Sequence, residues 1–222
     1  MKFALLTTAA LALTLAACSN GDVAVSEETQ PDAAAVSDAT TEAGTETADR
    51  SPVPAPAEPA VVAEARACDA SATTLLVADA PEDGNQNPEA NAAAAVAYLD
   101  AVRAEPCVFE LPSGLLFRIR QSADAGISPA SGDLVTVHYR GMFAYGGEFD
   151  SSFARGEPAT FPSDRLIAGW VEALPLMRVG EAWDLFIAPE LAYGSRGTPG
   201  GPIGPNEALV FQLELIDVPG AN

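Results

Sequence analysis

Histidine occurs once in these 222 residues, cysteine three times, and basic side chains 11 times against 31 acidic ones. With His138 as the sole imidazole, a serine or cysteine nucleophile activated by histidine is weakly supported, because such a set needs a base beside the nucleophile. His138 lies between Val137 and Tyr139 in an alternating stretch and reads as structural. No His/Cys/Asp/Glu grouping has metal-ligand spacing, so no metal is expected, and no cofactor either. A P-loop is missing too. The glycine-rich run "GTPGGPIGPN", which contains Thr198 and Ile203, precedes an apolar alternating stretch rather than a helix. It therefore lacks the converging helix-start amides that cradle phosphate, and reads as a long hairpin loop of the kind that often lines a site. A formal net charge of −20 makes nucleic acid a poor partner, since a phosphate backbone would be repelled. Neither an internal repeat nor a membrane-spanning run is visible.

The acid is unevenly spread. Between Ser19 and Arg66 there are ten acidic and two basic side chains, with almost no aromatic residues. Such a stretch buries too little apolar surface to offset its ordering entropy, so residues 18–67 are expected to form a disordered, acidic, Pro/Ala-rich linker. Within it, "SPVPAPAEP" should be stiff and extended. Ahead of the linker, Lys2 and the apolar residues Phe3 to Ala17 have the layout of a signal peptide over 1–17. Its end, Leu15-Ala16-Ala17-Cys18, resembles the bacterial lipobox, which implies a lipid on Cys18; the alternative is an ordinary signal peptide with a chance cysteine. Ser19 in place of an aspartate speaks against inner-membrane retention. Export leaves Cys68 and Cys107 as an even pair in an oxidising compartment. They are either disulfide-bonded or two free thiols.

Residues 68–110 read as an N-terminal segment with one helix over about 88–103. Asn87 is a good cap, Pro88 suits the first helical position, and alanines follow. Val96, Leu99 and Val102, with Tyr98 nearby, give a narrow apolar stripe that docks either on the same domain or on another copy. From Cys107 the pattern switches to period two: "CVFEL", "LLFRIRQ", "DLVTVHYRG", "AWDLFIA" and "ALVFQLELIDV" alternate over much of their length. One helical patch interrupts, "SDRLIAGWVEALPLM", with Leu166, Ile167, Trp170, Val171 and Leu174 on a face and Pro175 limiting its length. The expected class is α+β: a half-wrapped antiparallel sheet around one short helix, over residues 111–222.

Tyr139, Phe149, Phe161, Trp170, Tyr193 and Phe211 fall on different elements that must all pack toward that helix. They form either an ordinary aromatic core or the walls of an apolar pocket with polar groups at its edge. "EFDSSFAR" sets Asp150 beside Phe149 and five positions before Arg155, a pattern compatible with acid–base chemistry, a substrate clamp or an ion pair.

The order "VHYRGM…GEFDSSFARGEPATF…LIAGWVEALPLMRVGEAWDLFIAPELAYG…GGPIGPNEALVFQLELIDV" closely resembles FKBP-type peptidyl-prolyl cis–trans isomerases, nearest to the macrophage infectivity potentiator branch. The resemblance covers about Pro112 to Val218, half the chain. It implies a proline pocket with Trp170 as floor and Tyr139, Phe149 and Phe211 as walls. Leu166 and Ile167 would form the rim, with the Ile167 N–H bonding a substrate carbonyl. It further implies a hydroxyl from Tyr193, Asp150 as the polar pocket residue with Arg155 as its ion-pair partner, and Ile203 as a substrate contact. Two departures stand out. Ala159 falls near where some members carry another wall aromatic, and Thr198 where some carry a histidine. The implied partners are proline-containing unfolded or exported polypeptides and macrolide ligands, with no cofactor. The implied location is the bacterial envelope, lipid-anchored and facing the periplasm from the outer membrane. Members of this branch often dimerise through longer N-terminal helices; with only about 16 helical residues evident here, a monomer is expected.

Overall fold

A strand sends successive side chains to opposite faces, and in this domain both faces of the sheet acquire a cover. The computed structural model describes residues 58–79 and 86–221. In chain order they form α1 (Ala60–Ala67), α2 (Pro88–Arg103), β1 (Phe109–Glu110), β2 (Leu116–Gln121), β3 (Leu134–Phe143), β4 (Glu148–Ser151), α3 (Ser152–Arg155), β5 (Ala159–Pro162), α4 (Ala168–Ala173), β6 (Ala182–Ile187) and β7 (Leu209–Asp217). All strand pairs are antiparallel, in the order β1-β2-β6-β7-β3-β4, and β5 also pairs with β3. The signal peptide, Cys18 and the linker as far as residue 57 lie outside the described residues.

Strand β3 organises the sheet. Its first half takes β5 on one edge (Val135↔Phe161, Val137↔Ala159), its second half takes β4 (Gly141↔Asp150), and β7 runs along the other edge. Val135, Val137, Tyr139 and Phe143 face inward and bury against α4, with Trp170 and Leu174, and with Leu185, Phe211 and Leu213 from the neighbouring strands. The helical patch is shorter than its apolar face suggests. Only Ala168–Ala173 is α-helical, and Pro175 sits in a 3-10 turn over Leu174–Leu176. Leu166 and Ile167 lie before the helix, with Ile167 as its extended N-cap. Strands β4 and β5 are four residues each, too short for period-two alternation to reveal them.

The outer face is where sequence and structure part most. Helix α2 spans the residues its Asn–Pro start foretells, and the Asn87 side chain accepts bonds from the Glu89 and Ala90 N–H groups. The buried face is Asn91, Ala95, Tyr98 and Val102, however, and Val96 is 62% exposed. The small Ala95 lets the helix close on the sheet, and Tyr98 combines an apolar ring with a hydroxyl that donates to the Leu76 carbonyl (2.9 Å). This face packs on Leu116, Met142, Phe186, Ala208 and Val210. Docking on its own domain, rather than on another copy, is thus the use the helix makes of that face. It also explains why β6 is buried at every position, Asp184 included, where alternation alone predicts a wet face.

Beneath that cover lies an ion pair. Arg118 and Asp184 have 1% and 0% exposed side chains and meet at 2.8 Å (Nη2–Oδ2). Arg120 reaches the other Asp184 oxygen at 2.8 Å, and Arg118 also donates to the Thr74 carbonyl.

The expected limit of disorder at residue 67 is corrected by α1. Val62 and Ala65 are fully buried in the main core, and Arg66 donates to buried Glu181 (2.6 Å) and to the Leu176 carbonyl (2.7 Å). Averaging composition over the acidic tract hides this short apolar helix, whose Val61-Val62 pair finds a core only through tertiary packing.

Cys68, at the C-terminal end of α1, is disulfide-bonded to Cys107, with Cα atoms 5.7 Å apart and a sequence separation of 39. The bridge closes both ends of the segment that carries α2. Replacing both cysteines by alanine should lower the unfolding free energy by about 2–4 kcal/mol, read from urea denaturation. An unchanged midpoint would mean that the bridge adds nothing to packing that already holds the segment.

Candidate proline-binding site

Between α4 and the inner face of the sheet opens a cavity of about 550 Å³. Its lining is Tyr139, Phe149, Asp150, Phe161, Arg165, Leu166, Ile167, Ala168, Trp170, Ala192, Tyr193 and Phe211. All six aromatic residues singled out from the sequence therefore meet, from β3, β4, β5, α4, the turn after β6 and β7. Their planes explain the shape. Tyr139, Phe161 and Phe211 stand at 80°, 77° and 85° to the Trp170 ring, with centroids 5.3–6.5 Å away, so three rings rise edge-on from an indole floor. Phe149 in turn stands at 82° to Phe211.

Close approach at one glycine allows this closure. A Cβ on Gly141 would lie 2.7 Å from the Phe149 ring and 2.9 Å from the Phe211 ring. Only a residue without a side chain lets both rings settle over β3 here.

The polar edge is built on the "EFDSSFAR" stretch. Ser152 accepts a bond from the Tyr139 N–H (2.8 Å) and meets His138 Nδ1 (2.9 Å), pinning β4 and α3 onto β3. His138 also stacks on Phe153, so its role is structural. Ser151 caps the short α3, and that turn returns Arg155 toward Asp150. The Tyr139 hydroxyl donates to Asp150 Oδ2 (2.5 Å), Arg155 bonds the other carboxylate oxygen, and Arg155 Nη2 donates to the Tyr139 hydroxyl (2.8 Å). Burial pushes the Asp150 pKa up, but the bonds from Tyr139 and Arg155 and the Arg155 charge outweigh it and hold the carboxyl below its ordinary range. Burial raises the Tyr139 and Tyr193 hydroxyls, assisted by the Asp150 charge.

Donors at the cavity without a partner among the described residues include the Ile167 N–H, the Tyr193 hydroxyl and the Trp170 indole Nε1. Ile167 is the N-cap of α4, where helix geometry leaves backbone donors unsatisfied. Two residues expected to contact substrate do not line the cavity. Arg155 acts through Asp150 and Tyr139, and Ile203 packs into the main core while its backbone bonds Thr198. Thr198 ties the hairpin together with these bonds and takes no place in the lining. Conversely, Arg165, Ala168 and Ala192 join it. Phe161 follows Ala159 by one pleat repeat, so its ring supplies a wall beside the position where the aromatic is lacking.

Asp150→Asn should reduce turnover only partly, because the Tyr139–Arg155 contact survives. A depressed carboxylate pKa places its stabilising contribution above the unfolded value and removes it as pH falls through the folded one. Between about pH 5 and 8 the wild-type rate should therefore be flat with respect to Asp150. A steep rate profile that tracks a carboxylate and vanishes in Asp150→Asn would overturn this and make Asp150 an acid or base.

An open antiparallel sheet wrapped on a short helix, with an aromatic cavity between them, defines the FKBP-like class. The FKBP-type peptidyl-prolyl cis-trans isomerase family model matches residues 126–216. A solved peptidyl-prolyl cis-trans isomerase from Pseudomonas syringae pv. tomato is 35% identical, with a TM-score of 0.55, over 64% of this chain and 98% of that one. The chain belongs to this family. Among curated relatives, the outer membrane protein MIP of Legionella longbeachae is 44% identical over 64% of this chain and 60% of its own length. The peptidyl-prolyl cis-trans isomerase Mip of Coxiella burnetii is 48% identical over 58% and 55%. The chain thus spans somewhat under two thirds of the length of these relatives.

Proposed function

We propose that this protein is a peptidyl-prolyl cis–trans isomerase acting on proline-containing segments of exported polypeptides. The observation that carries the reading is the aromatic cavity itself: an indole floor, three edge-on walls and an unpaired backbone N–H at its rim. An X–Pro bond rotates slowly because rotation breaks amide resonance, with a barrier of about 18–20 kcal/mol. The planar amide is more dipolar than the twisted one, so withdrawing water from it raises the ground state relative to the transition state. A proline ring held on Trp170, with the flanking carbonyl on the Ile167 N–H, leaves the bond free to twist in that dry setting. A lowering of about 4 kcal/mol corresponds to roughly a thousandfold acceleration. No proton need move, and Asp150 is accordingly a positioned polar group.

Signal-like residues 1–17 and Cys18 support a lipid anchor, and the name of the Legionella relative supports a place in the envelope. The use of the α2 face on its own domain supports a monomer. Exchange NMR on a proline peptide tests the activity directly. Acceleration supports an isomerase; saturable binding without acceleration would make the protein a proline-peptide-binding module.

A further inference from the structure

The described residues carry nine arginines and no lysine. Seven arginines are paired with carboxylates: 66, 103, 118, 120, 140, 155 and 178. Arg165 and Arg196 are exposed, and neither has a carboxylate partner among the described residues. In a chain with 31 acidic and 11 basic side chains, partners for an arginine are abundant, so the location of the two unpaired ones is informative. Arg165 lines the cavity, and Arg196 lies in the turn Gly194–Arg196 that follows Tyr193, another lining residue.

Local charge agrees. Asp150 is the one carboxylate in the lining, and Arg155 already neutralises it. Asp164, next to Arg165 in sequence, turns its carboxylate toward Gly132. With Asp150 engaged by Arg155, Arg165 is the one charged lining residue without an opposite charge bonded to it, in a molecule of formal charge −20. Arg165 also precedes Ile167 by two positions. A chain whose carbonyl bonds the Ile167 N–H advances about 3.3–3.6 Å per residue, so its neighbouring side chains come within reach of a guanidinium. Planar guanidinium groups bind carboxylates with two parallel hydrogen bonds.

We propose that Arg165 is a specificity residue that selects prolyl segments carrying an aspartate or glutamate beside the proline. The inference rests on the isomerase reading above. Two peptide series test it on the full chain, one placing Glu, Gln or Lys before the proline and one placing them after it. Isomerisation is followed by exchange NMR and binding by Trp fluorescence. In at least one series the Glu peptide should exceed its Gln counterpart in kcat/KM about two- to fivefold, through KM, and the margin should shrink in high salt. Arg165→Gln should abolish the ratio, and Arg165→Glu should reverse it in favour of Lys. An equal Glu-to-Gln ratio in wild type and Arg165→Gln, in both series, overturns the proposal. If no peptide is isomerised, the isomerase reading falls, while the affinity ratios still decide the role of Arg165.

Discussion

Asp184→Ala is expected to destabilise the domain by about 3–5 kcal/mol, as large a loss as any single substitution outside the cavity should produce. The cause is the group left behind. Arg118 is 1% exposed and cannot lose its charge, and its Nε and Nη2 both donate to Asp184 Oδ2. Without that carboxylate, a guanidinium stays under α2 and the 74–78 segment with, among the described residues, only the Thr74 carbonyl and the Phe186 ring as partners. Arg120, with 28% of its side chain exposed, can turn to water, so the loss falls on Arg118. Urea denaturation reads the effect. Replacing both partners by apolar residues, Arg118→Met with Asp184→Leu, should recover most of it, since no buried charge remains. A loss below about 1 kcal/mol for Asp184→Ala would show that water reaches the pair and that the outer cover is looser than the packing indicates.

Trp170→Leu should cut kcat/KM about 10- to 100-fold with the fold retained. Leucine keeps an apolar floor but removes the ring against which three aromatic walls stand. If about half of a 4 kcal/mol rate effect depends on that surface, the loss is near thirtyfold. The indole Nε1 is buried without a hydrogen-bond partner, so leucine also removes an unsatisfied donor, and the lost volume faces a cavity rather than a packed core. Circular dichroism and the denaturation midpoint establish folding. Undiminished isomerisation by a folded Trp170→Leu protein would place the reaction elsewhere.

The inner half of the fold was legible because it is periodic. Strands β2, β3, β6 and β7 carry apolar residues at alternate positions, and Phe117, Tyr139, Trp183 and Phe211 fall on their inward phase. The remainder depends on contacts between distant positions. Nothing local in "AWDLFIA" marks Asp184 as buried, because the cover comes from Ala95, Tyr98 and Val102 in another part of the chain. Likewise the Arg66–Glu181 bond joins positions 115 apart and brings α1 into a tract whose composition reads as disordered. In the cavity, rings were legible and charges were less so: nothing local in "SDRLIAGW" marks Arg165 as part of the lining, which depends on walls contributed by distant strands.

The bridge between Cys68 and Cys107 also sets how the domain bears mechanical load. Tension applied from the N-terminal side enters through α1, whose Val62 and Ala65 sit in the core and whose Arg66 is held by Glu181. From Cys68 the force crosses covalently to Cys107, bypassing residues 69–106. Helix α2 carries none of it, so a pull on the chain can peel residues 60–67 while the cover over Arg118 and Asp184 stays in place.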